Sequence, residues 1–396
     1  MRTEVSTYQM TAGDDGSPIQ LLSPDGVRHP NERYDRFLAD VDGANGGGHN
    51  GSRLLVQLYE DMVVARRIDA EGTALQRQGE LGLWPPFVGQ EAAQIGSAHA
   101  LHPDDFIFPS YREIGVAYVR GVELADLVRQ WRGSANSGWD PFAVNMAPSQ
   151  VVIGAQTLHA VGYGMGVLFD GAESAVLTYF GDGATSQGDT NESMVFAASF
   201  QAPVVFFCQN NQWAISEPVG IQAHVPIALR APGFGIPSVR VDGNDVLVCL
   251  AAAREALERA RSGNGPSFIE AVTYRMGPHT TADDPTRYRD PNELEDWKER
   301  DPISRFEAFL ASRGILDEDL RSRVAEKANA VGAALRDATI HMPDPAPVAL
   351  FEHVYSGPQP ILERQRDHFE RYRAGIEGGV DSGIRSGIRS DAEGGN

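Results

Sequence analysis

The sequence predicts an α/β fold: a mostly parallel sheet with helices on both faces, framed by flexible N- and C-terminal tails. Three observations carry that expectation. Apolar runs of strand length, such as Val204 to Cys208, recur along the chain, as in strands buried on both faces. Helical stretches lie between them, and repeated strand–helix–strand order calls for parallel strands joined by crossovers. Polar, glycine- or asparagine-rich segments follow the runs, where open parallel sheets bind their ligands.

Taken in order, residues 1–50 are rich in Gly, Asp and Pro, carry Gly46, Gly47 and Gly48 near their end, and are expected to be a tail. Leu55, Leu58, Met62, Ala65 and Ile68 recur at helical spacing, which predicts a helix over Leu54 to Gln78. Gly162, Gly164 and Gly166 fall in a further expected helix, where each glycine costs roughly 1 kcal/mol relative to alanine. That cost suggests close helix–helix approach. Ala175 to Phe180 reads as a strand, Glu192 to Phe200 as a helix and Val204 to Cys208 as a second strand. A third candidate strand at Val239 to Gly243 is followed by a helix over Val246 to Arg261, and Ser267 to Tyr274 is a fourth strand. A charged helical segment from Pro302 to near Asp337 precedes a linker at Pro343 to Pro347 and a last helical piece around Pro360 to Arg373. The expected division is therefore a tail (1–50), a central domain (51–345), a helical extension (346–373) and a Gly/Ser-rich tail (374–396) with its Ser-Gly-Ile-Arg duplication at Ser382 and Ser386.

Composition narrows the function. The 396 residues hold 34 Lys+Arg against 54 Asp+Glu, a formal net charge of -20, and 42% are hydrophobic. That is enough for a sizeable core. The acidity argues against nucleic-acid binding and against docking on anionic membranes. Two cysteines, Cys208 and Cys249, cannot build a disulfide framework and read as core thiols in a reducing compartment. The first residues are polar and no long apolar run occurs, so a soluble cytoplasmic protein is expected.

The chemistry concentrates after two of the strands. One ends in Gly181-Asp182-Gly183-Ala184 and the next in Gln209-Asn210-Asn211-Gln212-Trp213. If these strands are parallel neighbours, Asp182 and Asn211 emerge side by side. A carboxylate and an amide oxygen, with space left for water and phosphate oxygens, form a Mg²⁺ site of the kind that binds a phosphorylated ligand. The segment holds no lysine, unlike a phosphate-binding loop. A diphosphate would have to be met by the metal, by backbone N–H groups at a helix start and by an arginine. Gly-Asp-Gly alone is usually a turn, and Asn-Asn alone is usually loop chemistry. Together they bracket one strand–helix–strand unit.

That pairing resembles the thiamine diphosphate signature. Further segments match in order: Phe108 to Glu113, Val152 to Gln156, Gly181 to Asp189, Gln209 to Ser216, Val239 to Asp245 and Thr273 to Arg289. They resemble the alpha subunit of the E1 component of 2-oxo acid dehydrogenase complexes, nearest to the bacterial branched-chain type. The resemblance implies a thiamine diphosphate-binding fold and oxidative decarboxylation of a branched-chain 2-oxo acid, 3-methyl-2-oxobutanoate, with reductive acylation of the lipoyl group of E2. Pyruvate and acetoin are the alternative substrates. A non-catalytic structural or regulatory subunit is the alternative from another class, and the joint presence of Asp182, Asn211, Arg112 and His279 argues against it. The family works as an α2β2 heterotetramer whose E1 beta subunit completes the site.

The resemblance also assigns residues. Asp182 and Asn211 would bind Mg²⁺ by side chain, and Trp213 by its carbonyl. Tyr111 and Arg112 would hold the diphosphate, with Gly181 beside it and N–H groups from Gly183 and Ala184. Ile153 would wedge under the bent cofactor. His279 would handle protons, with Asp283 and Asp284 nearby to stabilise an imidazolium. Glu192 would be an acid of the channel between two active sites. Leu83 and Trp84 lie where substrate contacts are plausible. Thr280 takes the place of a regulatory phosphoserine in eukaryotic relatives, and an ordinary loop hydroxyl is expected. Ser110 stands where relatives often carry glutamine, and Ser134 to Gln150 lacks the second histidine that many have.

Overall fold

The computed structural model describes residues 10–13, 16–42, 48–134, 138–352 and 354–387. It contains a unit that ends at Met342 and a second that begins at Pro343. The strands are β1 (Met10–Thr11), β2 (Phe106–Phe108), β3 (Val176–Gly181), β4 (Val204–Asn210), β5 (Trp213–Ala214), β6 (Glu217–Pro218), β7 (Ser238–Asp242) and β8 (Ser267–Val272). Six form one sheet in the order β1-β7-β8-β4-β3-β2, and every pair in it is parallel. β5 and β6 make a small antiparallel hairpin.

Strand periodicity explains why both faces are covered. Side chains of a strand point alternately to opposite faces. Leu177, Tyr179, Val205, Phe207, Ile269 and Ala271 join one hydrophobic cluster, with the helices Gly48–Arg77, Glu91–Ala98 and Val246–Arg261. Val176, Phe180, Val204, Phe206, Cys208 and Phe268 join the other, beneath the helices Ala155–Phe169 and Gly188–Phe200. β4 is buried along its whole length, as its unbroken apolar run predicts. Cys208 and Cys249 are both free and buried, as expected of core thiols.

The helix Ala155–Phe169 divides its glycines by face. A Cβ on Gly164 would lie 2.8 Å from Val204 Cγ2, so this glycine lets the helix sit close on the sheet. Gly162 and Gly166 meet nothing within 4 Å. The close approach is therefore helix to strand within the chain, and the other two glycines face outward.

Much of the segment expected to be an N-terminal tail is packed. Met10–Thr11 pairs with β7, and Ile19 bridges Val241. Leu21, Leu22, Tyr34, Leu38 and Val41 are buried in the first cluster. Polar anchors hold this arm: Asp245 Oδ2 accepts the N–H groups of Leu21 (2.6 Å) and Leu22 (2.7 Å). Buried Arg305 donates to Asp242 Oδ2 (2.7 Å) and to the Leu22 carbonyl (3.3 Å). Glycine-rich composition hid these spaced apolar anchors. Trp84 also departs from expectation. It is fully buried, its ring fills the space beside Gly72, and its Nε1 donates to Asp69 at 2.8 Å, so it is core.

In the second unit a short 3-10 helix, Pro347–Phe351, precedes the helix Pro360–Gly387, which runs beyond the expected end near Arg373. Phe351 and Phe369 pack within it at 5.5 Å between ring centroids. Residues 1–9 and 388–396 of the expected tails lie outside the described residues. Among the described residues no helix is long and apolar enough to cross a membrane.

The Arg305–Asp242 pair gives a test of the arm's anchorage. Removing one partner of a buried pair leaves an uncompensated charge and costs roughly 3–5 kcal/mol. Arg305→Met should therefore lower the melting temperature markedly and make the chain before Tyr34 sensitive to protease, as read by limited proteolysis. An unchanged cleavage pattern would count against this anchorage.

Candidate active site

β3 and β4 run in level register, from Val176 opposite Val204 to Gly181 opposite Gln209. Their carboxyl ends therefore open at one place near the middle of the sheet. After β3 the chain turns through a 3-10 segment, Asp182–Ser186, into the helix Gly188–Phe200. After β4 it passes Asn211 and Gln212 into the β5–β6 hairpin. A cavity of about 340 Å³ lies here. Tyr111, Arg112, Ile153, Gly181, Asp182, Gly183, Ala184, Asn211, Trp213 and His279 all line it. Glu192 does not: it is exposed on the helix that follows.

Asp182 is 1% exposed, and burial pushes its carboxyl up to about 6. Its hydrogen-bonding side-chain neighbour is Gln222, whose Nε2 lies 3.4 Å from Oδ2. Asn211 donates Nδ2 to Gln90 Oε1 (3.2 Å), and its Oδ1 accepts the Trp213 N–H at 3.3 Å. A Cβ on Gly183 would come within 2.8 Å of Ala214 Cβ, so the two turns touch and need a glycine there. Gln212 and Ile215, on either side of Trp213, have φ of 73° and 57°. For a β-branched residue such as Ile215 this is costly, and strain of this kind gathers at functional sites.

The opposite wall is basic. Arg112, 5% exposed, donates to the carbonyls of Pro86 and His279, the latter at 3.0 Å. Arg275 is wholly buried and donates to the carbonyls of Trp213 (3.3 Å) and Ile215 (2.8 Å). Burial, then the neighbouring Arg112 charge, pulls its guanidinium down to about 10. Ile153 is 41% exposed, so it is an apolar group left open at the cavity and not part of the core.

His279 differs from the sequence expectation in its electrostatics. Its Nδ1 faces Arg112 Nη2 at 3.3 Å and Arg275 Nη1 at 3.5 Å. Asp283 accepts the backbone N–H of His279 at 2.8 Å and does not pair with the ring. Asp284 caps the next turn through the Thr286 N–H. Burial, then the two guanidinium groups, pulls the imidazole down to about 3. No imidazolium is stabilised here. Guanidinium groups only donate, so Nδ1 accepts and the proton of the neutral ring sits on Nε2.

Sequence reasoning passed over several residues of this cavity. Glu113 is buried and accepts from Ser110 Oγ (2.7 Å) and Gln209 Nε2 (2.6 Å), with burial pushing its carboxyl up. Gln90 and Gln222 line the cavity without any local motif that would single them out, and Gln156 ends a matched segment but had no assigned role. Arg275, which is not in the lining but reaches His279 Nδ1, also lay inside a matched segment without an assigned role. Thr280 offers its hydroxyl to the Ala282 N–H at 3.3 Å, ordinary loop chemistry.

The donor set suits a small hard cation beside a phosphate. Asp182 is a buried carboxylate with no cationic side chain hydrogen-bonded to it, a costly state that a bound cation relieves. Buried amide atoms of Gln90, Gln156 and Gln209, all lining residues, also lack partners. Among the described residues no group of three or more His, Cys, Asp and Glu gathers. A cation here would rely on one carboxylate, amide and carbonyl oxygens, and the oxygens of its ligand, as Mg²⁺ does at phosphates.

A parallel α/β sheet with an acid–amide pair at adjacent strand ends, near buried arginines, has the donors that suit a cation and a phosphorylated ligand. The comparisons carry this to a family. The model of the dehydrogenase E1 component family matches residues 59–345. The chain is 47% identical over 354 residues to the 3-methyl-2-oxobutanoate dehydrogenase subunit alpha of Mycobacterium tuberculosis (strain ATCC 25618 / H37Rv), covering 89% of this chain and 93% of that one. It is 37% identical over 326 residues to the pyruvate dehydrogenase E1 component subunit alpha of Acholeplasma laidlawii (82% and 94% covered). With the subunit of that name from Staphylococcus aureus (strain Mu50 / ATCC 700699) it shares 42% over 287 residues (72% and 78% covered). The chain belongs to the dehydrogenase E1 component family, a family of enzymes that depend on thiamine diphosphate.

The state of His279 can be read directly. With a folded value near 3, below the ordinary 6.5, it should remain neutral and protonated on Nε2 from pH 5 to 8 in ¹⁵N-detected imidazole spectra. Between about 3 and 6.5 the unfolded chain binds this proton and the folded chain does not, so stability falls as pH is lowered through that window. A ring titrating near neutrality would contradict the double-arginine environment.

Proposed function

We propose that this chain is the alpha subunit of a 2-oxo acid dehydrogenase E1 that decarboxylates 3-methyl-2-oxobutanoate and passes the acyl group to the lipoyl domain of E2. The observation that carries this is the pair Asp182 and Asn211 at level strand ends, facing Arg112 and His279 across one cavity. The choice of substrate is supported by 47% identity to a relative named for it. The pyruvate dehydrogenase subunits at 37% and 42% support pyruvate as the second substrate reading. Acetoin is a more distant one.

Thiamine diphosphate, when bound, supplies the carbon centre that accepts electrons as carbon dioxide leaves. The chain's own residues bind, orient and handle protons. Asp182 and Asn211 hold Mg²⁺ by side chain and Trp213 by its carbonyl, while Tyr111 and Arg112 hold the diphosphate, Arg112 through its planar fork. Gly181 allows close approach, and Gly183 and Ala184 give N–H groups at the start of the turn. Ile153 supports the cofactor on its apolar side. His279, neutral and carrying its proton on Nε2, offers a hydrogen bond from Nε2–H to the substrate oxygen, where charge develops. Glu192, exposed and outside the cavity, is an acid of the channel between two active sites.

A beta subunit completes the site in an α2β2 assembly. An apolar surface suits it: Phe169 is 76% exposed, and Val195, Phe196 and Phe200 are 46–49% exposed on the adjacent helix. Gly162 and Gly166 lie open on the same helix as Phe169. Large apolar side chains left exposed on two helices that pack together suit an interface. Buried free thiols and the acidic, soluble character support the cytoplasm as its location.

With a beta subunit, thiamine diphosphate and Mg²⁺, the protein should decarboxylate 3-methyl-2-oxobutanoate faster than pyruvate and leave acetoin untouched. Absence of turnover on every 2-oxo acid would remove the enzymatic assignment. Asp182→Ala should abolish Mg²⁺-dependent cofactor binding in calorimetry. Because Asp182 must ionise to bind a cation, affinity for Mg²⁺ should fall roughly tenfold per pH unit below about 6.

A further inference from the structure

Glu270 of β8 is wholly buried and does not line this cavity. A buried carboxylate is costly unless both of its oxygens are satisfied, and here both are used. Oε1 accepts from Asn210 Nδ2 at 2.8 Å. Oε2 accepts the Ala228 N–H at 2.9 Å, with Arg240 Nε 3.6 Å away as counter-charge.

Each bond leads to one side of the cation site. Asn210 Oδ1 accepts the Gln212 N–H (3.2 Å) and Gln212 Nε2 (3.1 Å). Gln212 is the residue at φ 73° that turns the chain between Asn211 and Trp213. On the other side, Ala228 belongs to the 3-10 segment Ile227–Phe234, which carries Arg230. Arg230 donates to the carbonyls of Thr185 (2.7 Å) and Gln222 (3.0 Å), and Gln222 Nε2 reaches Asp182 Oδ2 at 3.4 Å. One carboxylate thus holds the Asn211–Trp213 turn and the cover over Asp182 in a single arrangement.

We propose that Glu270, acting through Asn210, is a positioning residue for the cation site: it holds the left-handed turn that aims Asn211 and the Trp213 carbonyl at the metal. This rests on the assignment of Asp182 and Asn211 as Mg²⁺ ligands. Glu270 touches neither cofactor nor substrate. Its chemistry is specific, because Asn210 Nδ2 and the Ala228 N–H are both donors. A carboxylate accepts from both, whereas glutamine has one acceptor oxygen and sets its NH₂ against the other donor.

The test uses the complete α–β assembly and the Mg²⁺ concentration giving half-maximal thiamine diphosphate binding, measured by calorimetry. The melting temperature of the cofactor-free assembly is followed alongside. Glu270→Gln should raise the Mg²⁺ midpoint roughly 10–100-fold, the usual range for groups that support metal ligands. Adding Asn210→Asp reverses the polarity of the link: the new amide at 270 donates to the new carboxylate at 210, whose other oxygen still accepts the Gln212 N–H. This double variant should return the midpoint to within about threefold of wild type. An unchanged midpoint in Glu270→Gln overturns the proposal, and so does a raised midpoint that the double variant fails to restore. If Glu270→Gln does not assemble, Asn210→Ala breaks the link and leaves Glu270 bonded to Ala228, and an unchanged midpoint there overturns it equally. Asp182→Ala run in parallel separates the two claims. Loss of binding in that variant beside a normal Glu270→Gln rejects only the role of Glu270, whereas retained binding rejects the cation site itself.

Discussion

The level register of β3 against β4 is the constraint on which the site depends. Six paired positions, from Val176–Val204 to Gly181–Gln209, bring both strands to their ends together. A slip of one residue would turn every side chain of a strand to the other face. Phe180, Phe206 and Phe268 would then leave their shared cluster, where their rings stand 6.0–6.5 Å apart. Core packing thus sets the register, and the register sets Asp182 beside Asn211.

Electrostatics completes the arrangement. The chain carries a net charge of -20, yet two buried guanidinium groups, Arg112 in the cavity lining and Arg275 in contact with His279, stand near the buried carboxylates Asp182 and Glu113. Arginine suits this wall because it stays charged when desolvated and donates in several directions at once. Arg275 uses that capacity on the carbonyls of Trp213 and Ile215 and on Tyr288. Burial and then the same pair keep His279 neutral, and the two guanidinium groups facing Nδ1 fix its tautomer.

Strands built on apolar runs or on alternating apolar residues were legible in the sequence, and β3, β4, β7 and β8 lie close to where those patterns placed them. β1 and β2, of two and three residues, were not, because such short pairings have no periodicity of their own. The N-terminal arm was hidden for a related reason. Leu21, Leu22 and Tyr34 are single apolar anchors among turn residues, and their burial depends on partners more than 200 positions away, such as Asp245. Trp84 was misjudged because an aromatic near a motif reads alike whether it faces a ligand or fills the space beside Gly72.

The sequence by itself determined the chemistry available: an acid and an amide at the ends of two buried strands, an arginine after a tyrosine, and a histidine in a polar loop. Residue type and local spacing carry that much, because they follow from covalent order and from the periodicity of the strand. Tertiary structure alone decided how those groups behave. It turned the His279 ring toward two arginines and away from Asp283, gave Gln212 and Ile215 their left-handed backbone, and joined Glu270 to both sides of the site. The physical reason is that burial and facing charge depend on contacts between distant segments, and one chain's local pattern does not record which segments meet.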